Sequence, residues 1–263
     1  MELWQAWVGG LLAALVLMTV VWAISVPRRD ASLVDRVWGL AFVVLAWTYA
    51  ALAQVWTARV WLVLALVTVW GLRLSIYITW RNWGDGEDKR YQAMRRNNPE
   101  TFTLRSLVTI FLLQAALAWF ISLPLLAAIA SEAPEGLIWL DLVAVAVWAV
   151  GFVFEAGGDW QLSRFLSDPD NRGTVMDRGL WRYTRHPNYF GDTVVWWSFF
   201  LLALSTGGWW SVVGPMAMTY LIVKVSGVAL TDRSMSKDGG SRREGHDEYV
   251  RRTNAFIPGP RKP

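Results

Sequence analysis

From Trp4 to Ser25 the chain runs for 22 residues without one charged side chain. Crossing about 30 Å of hydrocarbon takes about 20 apolar residues, so this run alone is long enough to span a bilayer. Apolar segments of similar length recur near 34–56, 59–80, 106–130, 137–159, 188–206 and 209–230. Hydrophobic residues make up 54% of the sequence and charged residues 17%, whereas a soluble domain carries about a quarter charged residues. Trp4, Trp7, Trp22, Trp80, Trp83, Trp209 and Trp210 lie near segment ends, where indole rings favour the headgroup boundary. The pattern predicts an all-α integral membrane protein of seven transmembrane helices, built as a single polytopic domain over 1–263.

Charge between the segments sets an orientation. Arg28, Arg29 and Arg36 follow the first segment, and Arg81, Lys89, Arg90, Arg95, Arg96 and Arg105 follow the third. Arg164, Arg172, Arg178, Arg182 and Arg185 follow the fifth, and the tail holds Arg233, Lys237, Arg242, Arg243, Arg251, Arg252, Arg261 and Lys262. The alternate connections hold Arg59 alone, or no base at all. The positive-inside rule then puts the N-terminus outside and the C-terminus in the cytoplasm. Because Met1–Ser25 lacks Lys and Arg, the first segment is expected to be a retained helix rather than a cleaved leader. With no cysteine and only two histidines, His186 and His246, thiolate chemistry is excluded and a zinc site is not expected. No nucleic-acid partner is expected.

Topology explains the basic loops but not the polar residues inside the segments. Arg73 lies within the third segment, and Tyr77 and Arg81 follow at i+4 and i+8 on one helical face. A charge in a membrane helix costs about 2.5–3.5 kcal/mol on insertion scales, so Arg73 is expected to face a polar site or an internal partner. Glu155 and Asp159 form an i, i+4 pair near the end of the fifth segment. Asp35 either caps the second helix or serves a site. The densest stretch is Asp177–Asp192, reading DRGLWRYTRHPNYFGD. Pro187 suits the first turn of a helix, which places His186 near the N-cap and Asn188 and Asp192 one turn apart. A helix N-terminus among arginines favours phosphate. Neither a Gly-x-Gly-x-x-Gly fingerprint nor a P-loop occurs.

At these residues the chain resembles the membrane-embedded steroid 5α-reductase superfamily, and more closely its bacterial DUF1295-type branch. The resemblance runs from about Asp35 to Pro258. It rests on Asp35–Gly39, on Gly71-Leu72-Arg73 with Arg81–Gly84 and Glu87–Tyr91, on Arg178–Asp192, and on Tyr249 with Ala255–Pro258. It implies seven helices in a bacterial inner membrane and an apolar steroid or lipid substrate entering from the bilayer. It also implies NADPH as cofactor, with hydride delivered to the β-carbon of an enone. By position, Tyr77, Asp159, Arg178, Tyr183, Asn188, Asp192 and Tyr249 resemble cofactor-site residues. Arg73, Asn82, Arg182, Arg185, His186 and Tyr189 are their expected neighbours. The steroid enzymes' Gln-Glu pair is replaced here by Asp35-Arg36, and Trp70 stands where their catalytic Tyr falls. Asp35 is therefore the expected catalytic acid, with Tyr91 or Tyr77 as hydroxyl donor.

The main alternative is an S-adenosylmethionine-dependent methyltransferase of the isoprenylcysteine or phospholipid type. Those enzymes share an Arg-His-Pro-x-Tyr-x-Gly run like Arg185–Gly191, followed by an acidic segment whose counterpart here is Thr231–Met235. A transporter is expected to show internal repeats and helices broken at mid-membrane depth, and the sequence displays neither.

Overall fold

The computed structural model describes residues 2–228 and 245–263, and no strand occurs among the described residues. The helices are α1 (Leu3–Arg28), α2 (Leu33–Ala53), α3 (Ala58–Arg81), α4 (Lys89–Asn97), α5 (Phe102–Ile121) and α6 (Leu123–Ile129). They continue with α7 (Trp139–Ser167), α8 (Pro187–Leu204), α9 (Val213–Tyr220) and α10 (His246–Arg252). Five of them, α1, α2, α3, α5 and α7, are long and apolar enough to cross a membrane. A helix also forms where 188–206 was expected. The region from 209 is instead a 3-10 turn (Trp209–Val212), α9 and a π-turn (Leu221–Ser226) in succession. The acidic-segment counterpart Thr231–Met235 and the basic residues Arg233, Lys237, Arg242 and Arg243 lie outside the described residues.

The chain divides into two compact units, Met1–Ile138 with Leu202–Ser211, and Trp139–Leu201 with Val212–Pro263. In the first, α2 packs against both α1 and α3. Lipid tails are as apolar as leucine, so helices associate in a bilayer by close packing, which small residues permit. A Cβ built on Gly39 stands 2.4 Å from the Gly71 carbonyl oxygen, and one on Gly71 stands 2.5 Å from that of Gly39. The α2 and α3 backbones therefore touch where they cross. Trp7 stacks on Trp119 at 4.2 Å, and the Trp119 indole donates to the Trp7 carbonyl at 2.8 Å, which ties α1 to α5. Trp4, Val8, Leu12, Val16, Val20 and Ile24, at every fourth position of α1, are all exposed and form an outward apolar stripe.

Three further expectations change. The segment 106–130 is not one helix: it breaks at Ser122, because Pro124 in the first turn of α6 has no N–H to continue the α5 ladder. The freed Ser122 hydroxyl donates to the Trp119 carbonyl and lies 2.7 Å from the Tyr49 hydroxyl. Arg59 is not a loop charge. It sits fully buried in the first turn of α3, with Nη1 donating to Pro134 O at 3.0 Å and Nη2 to Gly136 O at 2.7 Å. Nor is the stretch after α3 simply a loop, since it holds α4, started by Asp88 accepting from the Arg90 N–H.

In the second unit α7 and α8 cross at Gly151 and Gly191. A Cβ on Gly191 stands 2.3 Å from Glu155 N and 2.5 Å from Gly151 O. The chain after α10 lies along the loop that precedes α8. Arg185 N–H donates to Asn254 O at 2.9 Å, Gly259 N–H to Tyr183 O at 3.0 Å, and Thr184 Oγ1 to Phe256 O at 2.8 Å.

Candidate functional site

The expected site residues fall into two groups, one in each unit. In the first unit Asp35 occupies the third position of α2. Ser32 is the N-cap, so Asp35 is not the helix cap and its carboxylate serves other partners. Oδ1 accepts from the Tyr91 hydroxyl at 2.9 Å, and Oδ2 accepts from Arg90 Nη2 at 2.8 Å. Both donors come from α4, in the polar stretch between the third and fourth apolar segments.

The position of α4 is set by a clasp. Glu87 Oε1 accepts from the Ala31 N–H at 2.9 Å and from Arg95 Nη2 at 2.7 Å, and Oε2 accepts from Arg95 Nε at 3.0 Å. Asp88 N–H donates to Ser32 Oγ at 3.1 Å. The turn between α1 and α2 is thereby fixed to the segment leading into α4. Burial pushes the Glu87 carboxyl up, but the hydrogen bonds from Arg95 and Ala31 and the Arg95 charge outweigh it, so the group lies below its ordinary value. Tyr91 moves the other way. Burial, and then the negative charge of Asp35, raise its hydroxyl well above the usual tyrosine range, so it keeps its proton. Neither Glu87 nor Arg95 stood among the expected site residues. The signal available was the i, i+8 spacing of opposite charges, which carries little information because two turns separate them.

Of the two hydroxyl candidates, Tyr91 is the one that donates to Asp35. Tyr77 lies in a ladder along α3, with the guanidinium carbons of Arg73 and Arg81 at 5.4 and 5.5 Å from its ring. Asn82 ends that helix, and its Oδ1 accepts from Arg81 Nε at 3.1 Å. Trp70 is fully buried in the core, 5.7 Å from Phe42 ring to ring.

In the second unit Pro187 opens α8, and the His186 carbonyl accepts from the Phe190 N–H at 3.0 Å, which gives His186 the expected capping position. His186 is buried, with its ring stacked 5.5 Å from Tyr189. Asn188 donates through Nδ2 to Asp159 Oδ1 at 3.0 Å. Its Oδ1 is buried and has no hydrogen-bond partner among the described residues. Buried polar atoms nearly always have a partner, so this oxygen is an acceptor left open among the described residues. Asp192 follows one turn later and is half-buried. Tyr249 is buried, and its hydroxyl donates to the Trp181 carbonyl at 2.7 Å, while the Trp181 indole donates to Gly158 O at 3.0 Å. Tyr249 thus braces the loop 179–182 against α7.

Arg182 and Tyr183 are exposed, and Arg185 is half-buried. Arg178 is drawn elsewhere. Its guanidinium carbon lies 5.5 Å from the Phe165 ring, and Nη2 donates to Asn171 Oδ1 at 3.1 Å, in a cleft at the end of α7. Gly191, near the end of the Arg185–Asp192 run, is required by the α7–α8 crossing, so part of that motif is packing.

The profile described as "Protein of unknown function (DUF1295)" matches residues 21–253. The uncharacterized protein C594.04c of Schizosaccharomyces pombe is 26% identical over 217 residues, covering 73% of this chain and 63% of that protein. The chain therefore spans less than two thirds of the length of that relative. No solved structure matches. A profile match over most of the sequence, on a helical membrane architecture, establishes that the chain belongs to the DUF1295 family.

Proposed function

We propose that this protein is a membrane reductase that uses NADPH to saturate a carbon–carbon double bond conjugated to a carbonyl, in an apolar lipid or steroid-like substrate drawn from the bilayer. In this reading the chain crosses a bacterial inner membrane seven times, with its N-terminus outside and its C-terminus in the cytoplasm. The observation that carries the proposal is the Tyr91 hydroxyl held 2.9 Å from Asp35 at the end of an apolar helix. NADPH, when bound, supplies the hydride for the β-carbon. Tyr91, protonated across the neutral range, has one O–H; when substrate binds it turns from Asp35 to the carbonyl oxygen on which charge develops, giving up its bond to Asp35. Until then Asp35 orients that hydroxyl, and Arg90 holds Asp35 in place.

The proposed dinucleotide ligands in the second unit are Asp159, Asn188, Asp192 and Tyr249, with Tyr183, His186 and Tyr189 beside them. Arg182 and Arg185 supply positive charge for a strongly anionic cofactor. Arg73, Tyr77 and Asn82, expected neighbours of the cofactor, belong to the first unit and are left out of this ligand set. The orphaned Asn188 oxygen supports this assignment, because a carboxamide group of a ligand can donate to it.

Calorimetric titration of the detergent-purified protein, with NADPH and separately with S-adenosylmethionine, tests the class. Saturable heat with NADPH and none with S-adenosylmethionine is the expected outcome. The reverse result transfers the Arg185–Gly191 run to a methyl donor and ends the reductase reading.

A further inference from the structure

The outward face of α7 carries Trp139, Leu142, Val150, Val153 and Trp160, each between 51% and 72% exposed. Steps of 3, 8, 3 and 7 residues keep them within one stripe of a 3.6-residue helix. On a membrane-crossing helix such a stripe faces acyl chains. Trp160, where the stripe ends, is also part of the wall of a cleft of about 410 Å³, together with Arg164, Phe165, Asp168, Asn171 and Arg178. The cleft thus joins an apolar, lipid-facing surface to a polar lining.

The two arginines are held in the same way. The Arg164 guanidinium carbon lies 5.6 Å from the centre of the Trp160 ring, and that of Arg178 lies 5.5 Å from Phe165. Arg178 is steadied further by its 3.1 Å bond to Asn171. A guanidinium attracted to a ring in this way still has N–H donors for a phosphate. Asp168 brings one carboxylate to the same lining. The cleft therefore offers two cations and one anion, next to a surface made for hydrocarbon.

We propose that this cleft binds the headgroup of a phospholipid bearing a primary ammonium. The phosphodiester lies on Arg164 and Arg178, the ammonium lies on Asp168, and an acyl chain follows Trp160 and Val153 along α7. A dinucleotide has no use for the lipid-facing stripe, and a headgroup without an ammonium leaves Asp168 facing a phosphate of like charge. The assignment takes Arg178 away from the cofactor and leaves the other proposed cofactor residues as they are. It does not rest on the reductase reading.

The test is native mass spectrometry of the full chain in mild detergent, with phosphatidylethanolamine, phosphatidylcholine and phosphatidylglycerol of equal acyl length. The expected result is one phosphatidylethanolamine retained per chain in preference to the other two. Arg164→Gln with Arg178→Gln is expected to weaken retention about tenfold or more, as for loss of two charge-assisted bonds. Asp168→Asn is expected to erase the preference for phosphatidylethanolamine over phosphatidylglycerol. If the double variant does not fold, Trp160→Ala and Asp168→Asn, both on the surface, decide by the same readout. Wild-type retention in these variants overturns the proposal, and so does displacement of the lipid by saturating NADPH.

Discussion

Gly9→Ala and Gly191→Ala form a matched pair that isolates what the α7–α8 crossing contributes. In both, the new methyl meets an atom at 2.3 Å, but the atoms differ: Leu52 Cδ1 for Gly9, and the backbone nitrogen of Glu155 for Gly191. Replacing glycine by alanine inside a helix gains about 0.8–1 kcal/mol in intrinsic propensity. Moving the end of a leucine out of its preferred rotamer costs about 0.5–1.5 kcal/mol, so Gly9→Ala is expected to be near neutral. At Gly191 nothing can rotate away. A second backbone atom, Gly151 O, lies at 2.5 Å, and reaching ordinary contact near 3.5 Å requires the two helices to part by about 1 Å. Overpacking costs about 1–3 kcal/mol, and rigid backbone on both sides places this case at the upper end. The net expectation is a loss of about 2 kcal/mol after the propensity gain. Far-UV circular dichroism melts in one detergent, with monodispersity checked after heating, measure both variants; thiol dyes cannot report here because the chain has no cysteine. If Gly191→Ala melts with the wild type, or Gly9→Ala loses as much as Gly191→Ala, the touching-backbone argument fails.

Glu87 carries a pH dependence of known sign. A carboxyl held below its ordinary value stabilises fully above the usual carboxylate range and loses that contribution as pH falls through its folded-state value. Amide exchange in α4, corrected for intrinsic rates, should therefore accelerate below about pH 4, and Glu87→Gln should remove the step. Arg59→Met leaves the Pro134 and Gly136 carbonyls without their buried donors and should cost about 3–6 kcal/mol, at about 1.5–3 for each bond to a charged group. Arg59→Lys, with a point charge instead of a fork, should recover only part of this in the same melts. Asn188→Ala should weaken NADPH binding about tenfold in calorimetry through loss of one ligand bond, and should also lower the melting temperature, because the buried Asp159 carboxylate loses the Asn188 amide donor. Unchanged affinity removes Asn188 from the cofactor site.

What could be read in advance followed from periodicity and insertion cost. The spans from 3 to 81 and the start of α8 at Pro187 come close to the apolar run lengths and the proline rule, because the bilayer forces backbone polarity inward and leaves few alternatives. The break at Ser122 was hidden because Pro124 lies within an unbroken apolar run, where hydropathy is blind to a missing N–H. The use of Arg59 was hidden because its partners are carbonyl oxygens, which every residue has. The pairing of Asp35 with Arg90 and Tyr91 spans more than fifty residues and depends on a nine-residue helix of strongly polar composition. No local pattern identifies such a partner, although Asp35 and Tyr91 were each singled out on chemical grounds.

The glycine crossings also explain why the polar groups can be held so firmly. Asp35 lies one turn before Gly39, and Gly39 is the point where α2 touches α3. Fixing that contact fixes where α3 ends, and hence how far the chain must travel from Asn82 to bring α4 under Asp35. The second unit repeats the arrangement. Asn188 lies one turn before the Gly191 contact, and a Cβ on Gly158 would meet Asn188 N at 3.1 Å. Asp159, the next residue of α7, is thereby brought within 3.0 Å of the Asn188 amide. In each unit a carboxylate stands beside a backbone-to-backbone crossing, where helix positions are least able to drift. Widening either crossing by about 1 Å is enough to change a 3 Å hydrogen bond to a 4 Å separation, beyond hydrogen-bond range. Conformational stability and site geometry are therefore coupled through the same glycines.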